Sequence, residues 1–175
     1  MVFGMSLTTY TLIHVIISLI GIASGLIVVF GMFGGKQLDG ITALFLATTA
    51  LTSLTGFGFP FEHVTPGIIL GILSLLVLAL TVVARYFFHM AGRWRSIYVV
   101  TAVIALYFNC VALVGQSFLK IPSLHALAPT GHEPPFAIAE GILLLLFIAA
   151  GILAVKKFRP DAALSVARAA SGVKS

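Results

Sequence analysis

Hydrophobic residues fall into five long runs, separated by short connections that contain glycine, proline or charged residues. Each run approaches or exceeds the ~20 residues that a helix needs to cross a bilayer. The pattern predicts an all-α integral membrane bundle with five transmembrane helices, at about 8–33, 41–61, 67–89, 96–119 and 135–155. The second run is the weakest span, because it is rich in threonine and ends in TGFGFPF. Without it, the number of spans would be even and both termini would lie on the same side of the membrane.

Basic residues set the expected orientation. With the C-terminus in the cytoplasm, five spans put the N-terminus outside, and Lys120 is then the one basic residue on the outer side. The inner side carries the other nine of ten: Lys36, Arg85, Arg93, Arg95, Lys156, Lys157, Arg159, Arg168 and Lys174. Cytoplasmic connections are enriched in Lys and Arg, so this asymmetry favours five spans.

Residues 1–160 are predicted to form a single transmembrane domain. The alanine-rich stretch 161–175, DAALSVARAASGVKS, is predicted to be a cytoplasmic tail with partial disorder. No internal repeat is evident, and an odd number of spans does not divide into two equal halves. Both features argue against a transporter built from inverted repeats.

Composition supports a membrane environment. Of 175 residues, 60% are hydrophobic and 9% charged, with a mean hydropathy of +1.17. A soluble domain would carry roughly 25% charged residues, so the bilayer is the expected solvent and partner. The net charge of +5 is explained by topology, and no nucleic-acid partner is expected. Cys110, the single cysteine, cannot form an internal disulfide.

Small residues recur on single helix faces. Gly21 and Gly25 form a GxxxG pattern in the first run. In the fourth run Ala105 and Ala112 belong to a seam that also contains Asn109. Such faces let neighbouring helices approach closely, so these residues are predicted to pack helices together. They also make a homo-oligomer or a larger membrane complex an expectation.

Three polar side chains are predicted to reach a similar level on the outer side. Glu140 and His14 lie ~8 and ~9 Å below the outer ends of their helices, and Gln116 lies about one turn below its own. Ionised side chains facing lipid are costly, so we expect His14 and Glu140 to face the interior and to pair. The functional interpretation is a polar, ligand-binding pocket open to the outer side, with Asn109 deeper along it. The structural interpretation is a contact that closes the bundle.

A metal site is a weaker hypothesis. The predicted outer connections carry imidazole and carboxylate groups, which suit zinc or copper: Glu62, His63, His125, His132 and Glu133. Their spacing fits no metal motif, since there is no HxxxH pair. Solvated loop side chains are the alternative interpretation.

Catalytic and haem chemistry find little support. The sequence contains no GxSxG, HExxH or GxxxxGK[ST] motif and no aspartate within a span, which favours a non-enzymatic protein. His14 and His89 should lie ~20 Å or more apart along the membrane normal, so they cannot both ligate one haem. His14 with His63 stays open. No cofactor is predicted, and haem, quinone or a divalent metal is kept as an alternative.

Two stretches, GRWRSIYVVTAVIALYFNCVALVGQSFLKIP and ALAPTGHEPPFAIAEG, resemble segments of small bacterial inner-membrane proteins of no assigned activity. The resemblance covers the fourth and fifth runs and implies a multi-pass protein of a bacterial inner membrane. It brings no functional residues. The sequence as a whole favours an accessory or interaction subunit with an outer polar pocket. A proton- or cation-linked binding or transport protein for a small or amphipathic ligand is the alternative, and a haem or quinone redox protein the second.

Overall fold

The computed structural model describes residues 4–61 and 63–159, and every regular element in these ranges is helical. Each of the five predicted runs contains one long helix, and a short helix lies between the last two. Their bounds are α1 Leu7–Phe33, α2 Asp39–Gly56, α3 Pro66–Val82, α4 Arg93–Lys120, α5 Pro122–His125 and α6 Pro134–Lys157. α3 continues as a π-helical turn over Val83–Phe87. The predicted tail at 161–175 lies outside the described residues.

Local sequence signals account for the helix starts. The hydroxyl of Ser6 accepts a hydrogen bond from the backbone N–H of Thr9 at 3.1 Å, which caps α1. Thr65 precedes α3, and proline follows it at the first helical position. α2 ends at Gly56, five residues before the predicted end of the second run. The glycine- and proline-containing stretch after Gly56 forms a turn, although its phenylalanines make it hydrophobic.

Among the described residues, four helices are long and apolar enough to cross a membrane: Leu7–Phe33, Pro66–Phe87, Arg93–Lys120 and Pro134–Lys157. The chain therefore has the features of a multi-pass membrane protein. α2 does not belong to this group, because its 18 residues include one aspartate and many small polar side chains. It is the helix that corresponds to the weakest predicted span.

Helices α1–α4 form a ring in which each packs against two neighbours. α2 runs antiparallel beside α1, since Thr55 contacts His14 at one end and Leu38 approaches Gly31 at the other. α4 is antiparallel to α1 and to α3. We call the end that holds Ser6 and Lys120 the predicted outer end, and the opposite one the predicted inner end.

A tight helix contact in the ring lies at Gly25. A Cβ atom there would lie 2.7 Å from a methyl carbon of Leu106 on α4 and 2.8 Å from the ring of Phe45 on α2. At Gly21 the nearest atom would be the hydroxyl oxygen of Thr48, at 3.2 Å. The GxxxG face thus lets α1 contact α2 and α4 together. Ala105 is also fully buried.

Charged and aromatic groups join the elements at the predicted inner end. Arg85 donates a hydrogen bond to Asp39, which ties the π-helical turn to the start of α2. The guanidinium carbon of Arg85 also lies 5.1 Å from the ring centroid of Tyr98. Arg95 donates to the backbone carbonyl oxygens of Val155 and Phe158, the first at 3.0 Å, and so caps α6.

α6 lies outside the ring, against α4 and less extensively against α1. It runs antiparallel to α4: Phe136 contacts Phe118 near one end, and Phe147 contacts Tyr107 further along. Ala154 is its one fully buried side chain. This position decides which polar residues can share a cavity with α6.

Candidate functional site

A cleft of about 380 Å³ lies inside the ring, in the half of the bundle nearest the predicted outer end. Its volume is in the range of small-molecule sites. All four ring helices contribute to its walls, as does the connection between α2 and α3. The polar lining residues are Thr11, His14, Ser18, Thr52, Ser53, Thr65, Ser74, Asn109, Gln116 and Lys120. Three of the four residues predicted to bind a ligand, His14, Gln116 and Asn109, are therefore together in one cleft.

His14 is held in a defined orientation on the α1 wall. Its Nδ1 lies 2.8 Å from the hydroxyl oxygen of Thr55. That hydroxyl donates its own hydrogen to the carbonyl of Leu51 at 2.7 Å, so His14 Nδ1–H is the donor to Thr55. Phe59 packs edge-on against the imidazole, with ring centroids 5.2 Å apart. In the neutral imidazole, Nε2 is then an acceptor available to a molecule in the cleft.

The hydroxyls of Thr52 and Ser74 have no hydrogen-bond partner among the described residues, although both oxygen atoms are buried. Both line the cleft, and Ser74 as a whole is only 3% exposed. Nine other helix hydroxyls donate to the carbonyl four residues earlier: Thr11, Ser18, Ser24, Thr48, Ser53, Thr55, Thr81, Thr101 and Ser117. Two hydrogen-bonding groups are therefore left for a bound molecule.

Asn109 contacts a neighbouring helix and also lies in the cleft lining. Its Nδ2 donates to the hydroxyl of Thr49 at 2.9 Å, which links α4 to α2, and the residue also lines the floor of the cleft. Further along α4, Ala112 and Gln116 are exposed and line the cleft. The inner half of the predicted packing seam therefore contacts neighbouring helices, and its outer half faces the cleft. Ala112 lies in this outer half and borders the cleft instead of packing against a helix.

Glu140 is not among the residues that line the cleft. Its Oε1 is buried and has no hydrogen-bond partner among the described residues, so this oxygen does not pair with His14 as expected. Its electrostatic neighbours are Tyr107 and Cys110 on α4. The reason is the position of α6 outside the ring. Similar depth in the membrane does not bring two side chains together when their helices are not neighbours.

The outer connection is organised by Glu133. Its Oε1 accepts hydrogen bonds from the backbone N–H and hydroxyl of Thr130 at 3.0 and 2.9 Å, and its Oε2 accepts from the N–H of His132 at 3.1 Å. Desolvation opposes ionisation, but these bonds outweigh it and lower the pKa of Glu133 to about 2. Both carboxylate oxygens are thus used to order the loop that leads into α6.

The histidines of the metal hypothesis, His63, His125 and His132, are exposed. Within residues 4–61 and 63–159, no three His, Cys, Asp or Glu side chains come close enough together to hold a metal ion. Glu62 is outside the described residues. For haem, His14 and His89 lie at opposite ends of the bundle, as the sequence predicts.

Sequence reasoning missed Ser74, although a signal was present. Gly67, Gly71 and Ser74 are spaced by four and three residues, so they share one face of α3. Ser74 on this small-residue face lines the cleft. Thr52 lies four residues after Thr48 and three before Thr55, so the sequence places it on a face of threonines. Nothing in the sequence marks its hydroxyl as unpaired.

The cleft combines apolar walls, neutral polar groups at its floor and Lys120 at its mouth. No aspartate or glutamate is among its described lining residues. This arrangement can bind a partly apolar molecule by hydrogen bonds. Comparison of the chain with protein-family models, with curated proteins and with solved structures found no match in any of the three.

Proposed function

We propose that this protein is a non-enzymatic membrane protein that binds a small amphipathic molecule in the cleft open to its outer side. The observation that carries the proposal is the pair of unpartnered hydroxyls, Thr52 and Ser74, in the cleft lining. A buried polar group without a partner costs about 1–3 kcal/mol. A ligand that bonds to these groups would offset this cost.

The proposal includes five spans, with the N-terminus outside and the C-terminus in the cytoplasm of a bacterial inner membrane. Its support is the direction of the helices: α1 and α3 both run antiparallel to α4, so the chain has to return across the layer between them. α2 lies in that position, alongside α1 for most of its length. Reporters fused to the two termini test this, and finding both termini on one side would overturn it.

The binding function is tested by native mass spectrometry of the protein in mild detergent. We expect a retained small molecule in the unmodified protein and its loss from Ser74→Ala and Thr52→Val. Ser24→Ala is the matched control. Ser24 is about as buried as Ser74, but it does not line the cleft, and its hydroxyl donates to the carbonyl oxygen of Ile20 at 2.7 Å. Equal retention in all four proteins, or retention in none together with no ligand-induced stabilisation, would refute the proposal.

A proton- or cation-linked transporter has less support. Glu140, the carboxylate on which that alternative depends, is not among the lining residues, and the described lining carries Lys120 instead. A cation would meet no opposite charge there. For this reason we place binding of an uncharged or anionic molecule first.

A second candidate function is that of an accessory or interaction subunit, and the observation that favours it is α6. This helix has one fully buried side chain, so most of its apolar surface is available to lipid or to another membrane helix. A native pull-down in mild detergent tests this function. A stoichiometric partner or a second copy would support it, and a monomer with bound lipid alone would refute it.

A further inference from the structure

We infer that the ligand is an uncharged, oxygen-bearing amphiphile that reaches the cleft sideways from the outer leaflet, through a gap between α1 and α4. The inference rests on the binding function proposed above and narrows it to one chemical class and one access route. Two independent features carry it: the hydrogen-bonding groups at the floor, and the shape of the α1–α4 contact.

The floor of the cleft offers hydrogen bonds without charge. Ser74 and Thr52 each supply a hydroxyl that can donate to a ligand oxygen, and Asn109 supplies a carbonyl oxygen that can accept. His14 adds an acceptor nitrogen higher on the wall. A carbonyl-bearing head would accept from the two hydroxyls, and a hydroxyl-bearing head would satisfy both kinds of group.

A charged head does not fit this floor. Lys120, the one lysine in the lining, is eleven residues along α4 from Asn109, which corresponds to ~16 Å. An ion at the level of Asn109 and Ser74 would therefore lose its hydration without gaining a counter-charge nearby. The chemistry of the floor selects an uncharged head.

The access route follows from how α1 and α4 separate. In the inner half they touch where Gly25 meets Leu106. In the outer half, Leu19 on α1 and Leu113 on α4 both line the cleft and are both exposed. The cleft therefore reaches the lipid-facing surface between these helices, along an apolar edge. An aliphatic tail can lie in this gap while the head occupies the floor.

The test uses three probes with the same decyl tail in lipid nanodiscs: decyl-benzoquinone as the uncharged, oxygen-bearing head, decyl phosphate and decyltrimethylammonium. We expect saturable binding of decyl-benzoquinone and much weaker binding of both ions. Ser74→Ala should weaken decyl-benzoquinone binding roughly 3- to 10-fold, the effect of one hydrogen bond. Ser24→Ala should leave it unchanged.

The access route has its own pair of variants. Leu113→Trp adds bulk at the exposed edge of α4 that borders the gap, whereas Leu146→Trp adds the same bulk to the exposed surface of α6, which does not line the cleft. Leu113→Trp should slow or abolish decyl-benzoquinone binding, and Leu146→Trp should not. Equal binding in both variants would overturn the lateral route.

The outcomes separate this inference from the function on which it rests. Tighter binding of decyl phosphate, lost in Lys120→Gln, would overturn the uncharged class and leave the binding function standing. Tighter binding of decyltrimethylammonium would do the same and restore the cation alternative. Absence of saturable binding for all three probes, with no molecule retained on purification, would refute the binding function itself.

Discussion

Replacing Gly25 by alanine tests the contact of α1 with α2 and α4. The added Cβ would lie 2.7 Å from Leu106 and 2.8 Å from Phe45, closer than carbon atoms pack. Both of these side chains are 0% exposed, so one of them has to shift within the core to admit the added atom. Overpacking of this kind costs about 1–3 kcal/mol.

Alanine also favours a helix over glycine by about 1 kcal/mol, which works against the clash. Gly115→Ala removes this complication, because Gly115 is also helical and a Cβ there has no neighbour within 4 Å. The difference between the two variants isolates the packing term. We expect Gly25→Ala to be less stable than Gly115→Ala by about 1–3 kcal/mol, or about 5- to 150-fold in the unfolding equilibrium.

Gly21→Ala should fall between these variants, since its Cβ would lie 3.2 Å from the hydroxyl oxygen of Thr48. The assay is reversible unfolding in mixed micelles with increasing denaturing detergent, followed by circular dichroism. The expected order of stability is Gly115→Ala, then Gly21→Ala, then Gly25→Ala. Equal stability of all three would mean that α1 does not lie against α2 and α4 as described.

Three further predictions concern the charged groups outside the cleft. Asp39→Asn should lower the free energy of unfolding by about 1–3 kcal/mol, because it removes the carboxylate that pairs with Arg85, whose side chain is only 5% exposed; the loss should be smaller at about 1 M salt, since Asp39 itself is 82% exposed, and a salt-independent loss would contradict this. Arg95→Ala should cost about 1–3 kcal/mol and speed hydrogen exchange at the end of α6, whereas the exposed Arg93→Ala should not. The folded-state pKa of Glu133 is about 2, below its ordinary 4.5, so its contribution to loop order is complete above pH 4.5 and is lost as pH falls to about 2. Glu133→Gln should therefore speed amide exchange at Thr130 and His132 at neutral pH and match the unmodified protein near pH 2.

Helix positions were accessible from the sequence because hydrophobic runs and proline positions report on them directly. The start of α3 after Thr65 and its proline is an example. The end of α2 was placed too late, since hydropathy counts Phe57, Phe59 and Phe61 as membrane residues. In the structure, Phe59 packs against Tyr10 and His14 after the helix has ended, so its apolar surface covers the bundle.

The candidate site was accessible in part. Helical rise gives the depth of a side chain, which is how His14 and Gln116 were grouped correctly into one cleft. Rise says nothing about which helices are neighbours, and Glu140 was grouped with them for that reason. Its helix packs on the outside of the ring against α4. Neighbour relations depend on side-chain packing over the whole bundle, which one sequence does not display.

The polarity of the cleft has a consequence for how such sites are found. Ionised side chains are expensive in a bilayer, so a search for charged residues within spans singles out Glu140. Hydroxyls carry no such cost, because they normally donate to the carbonyl one turn earlier, as Ser24 does. Serine and threonine are therefore less costly to insert into a membrane than a charged residue, and a search for charges passes over Thr52 and Ser74. Among the described residues, two buried hydroxyls have no hydrogen-bond partner, those of Thr52 and Ser74, and both line the same cleft.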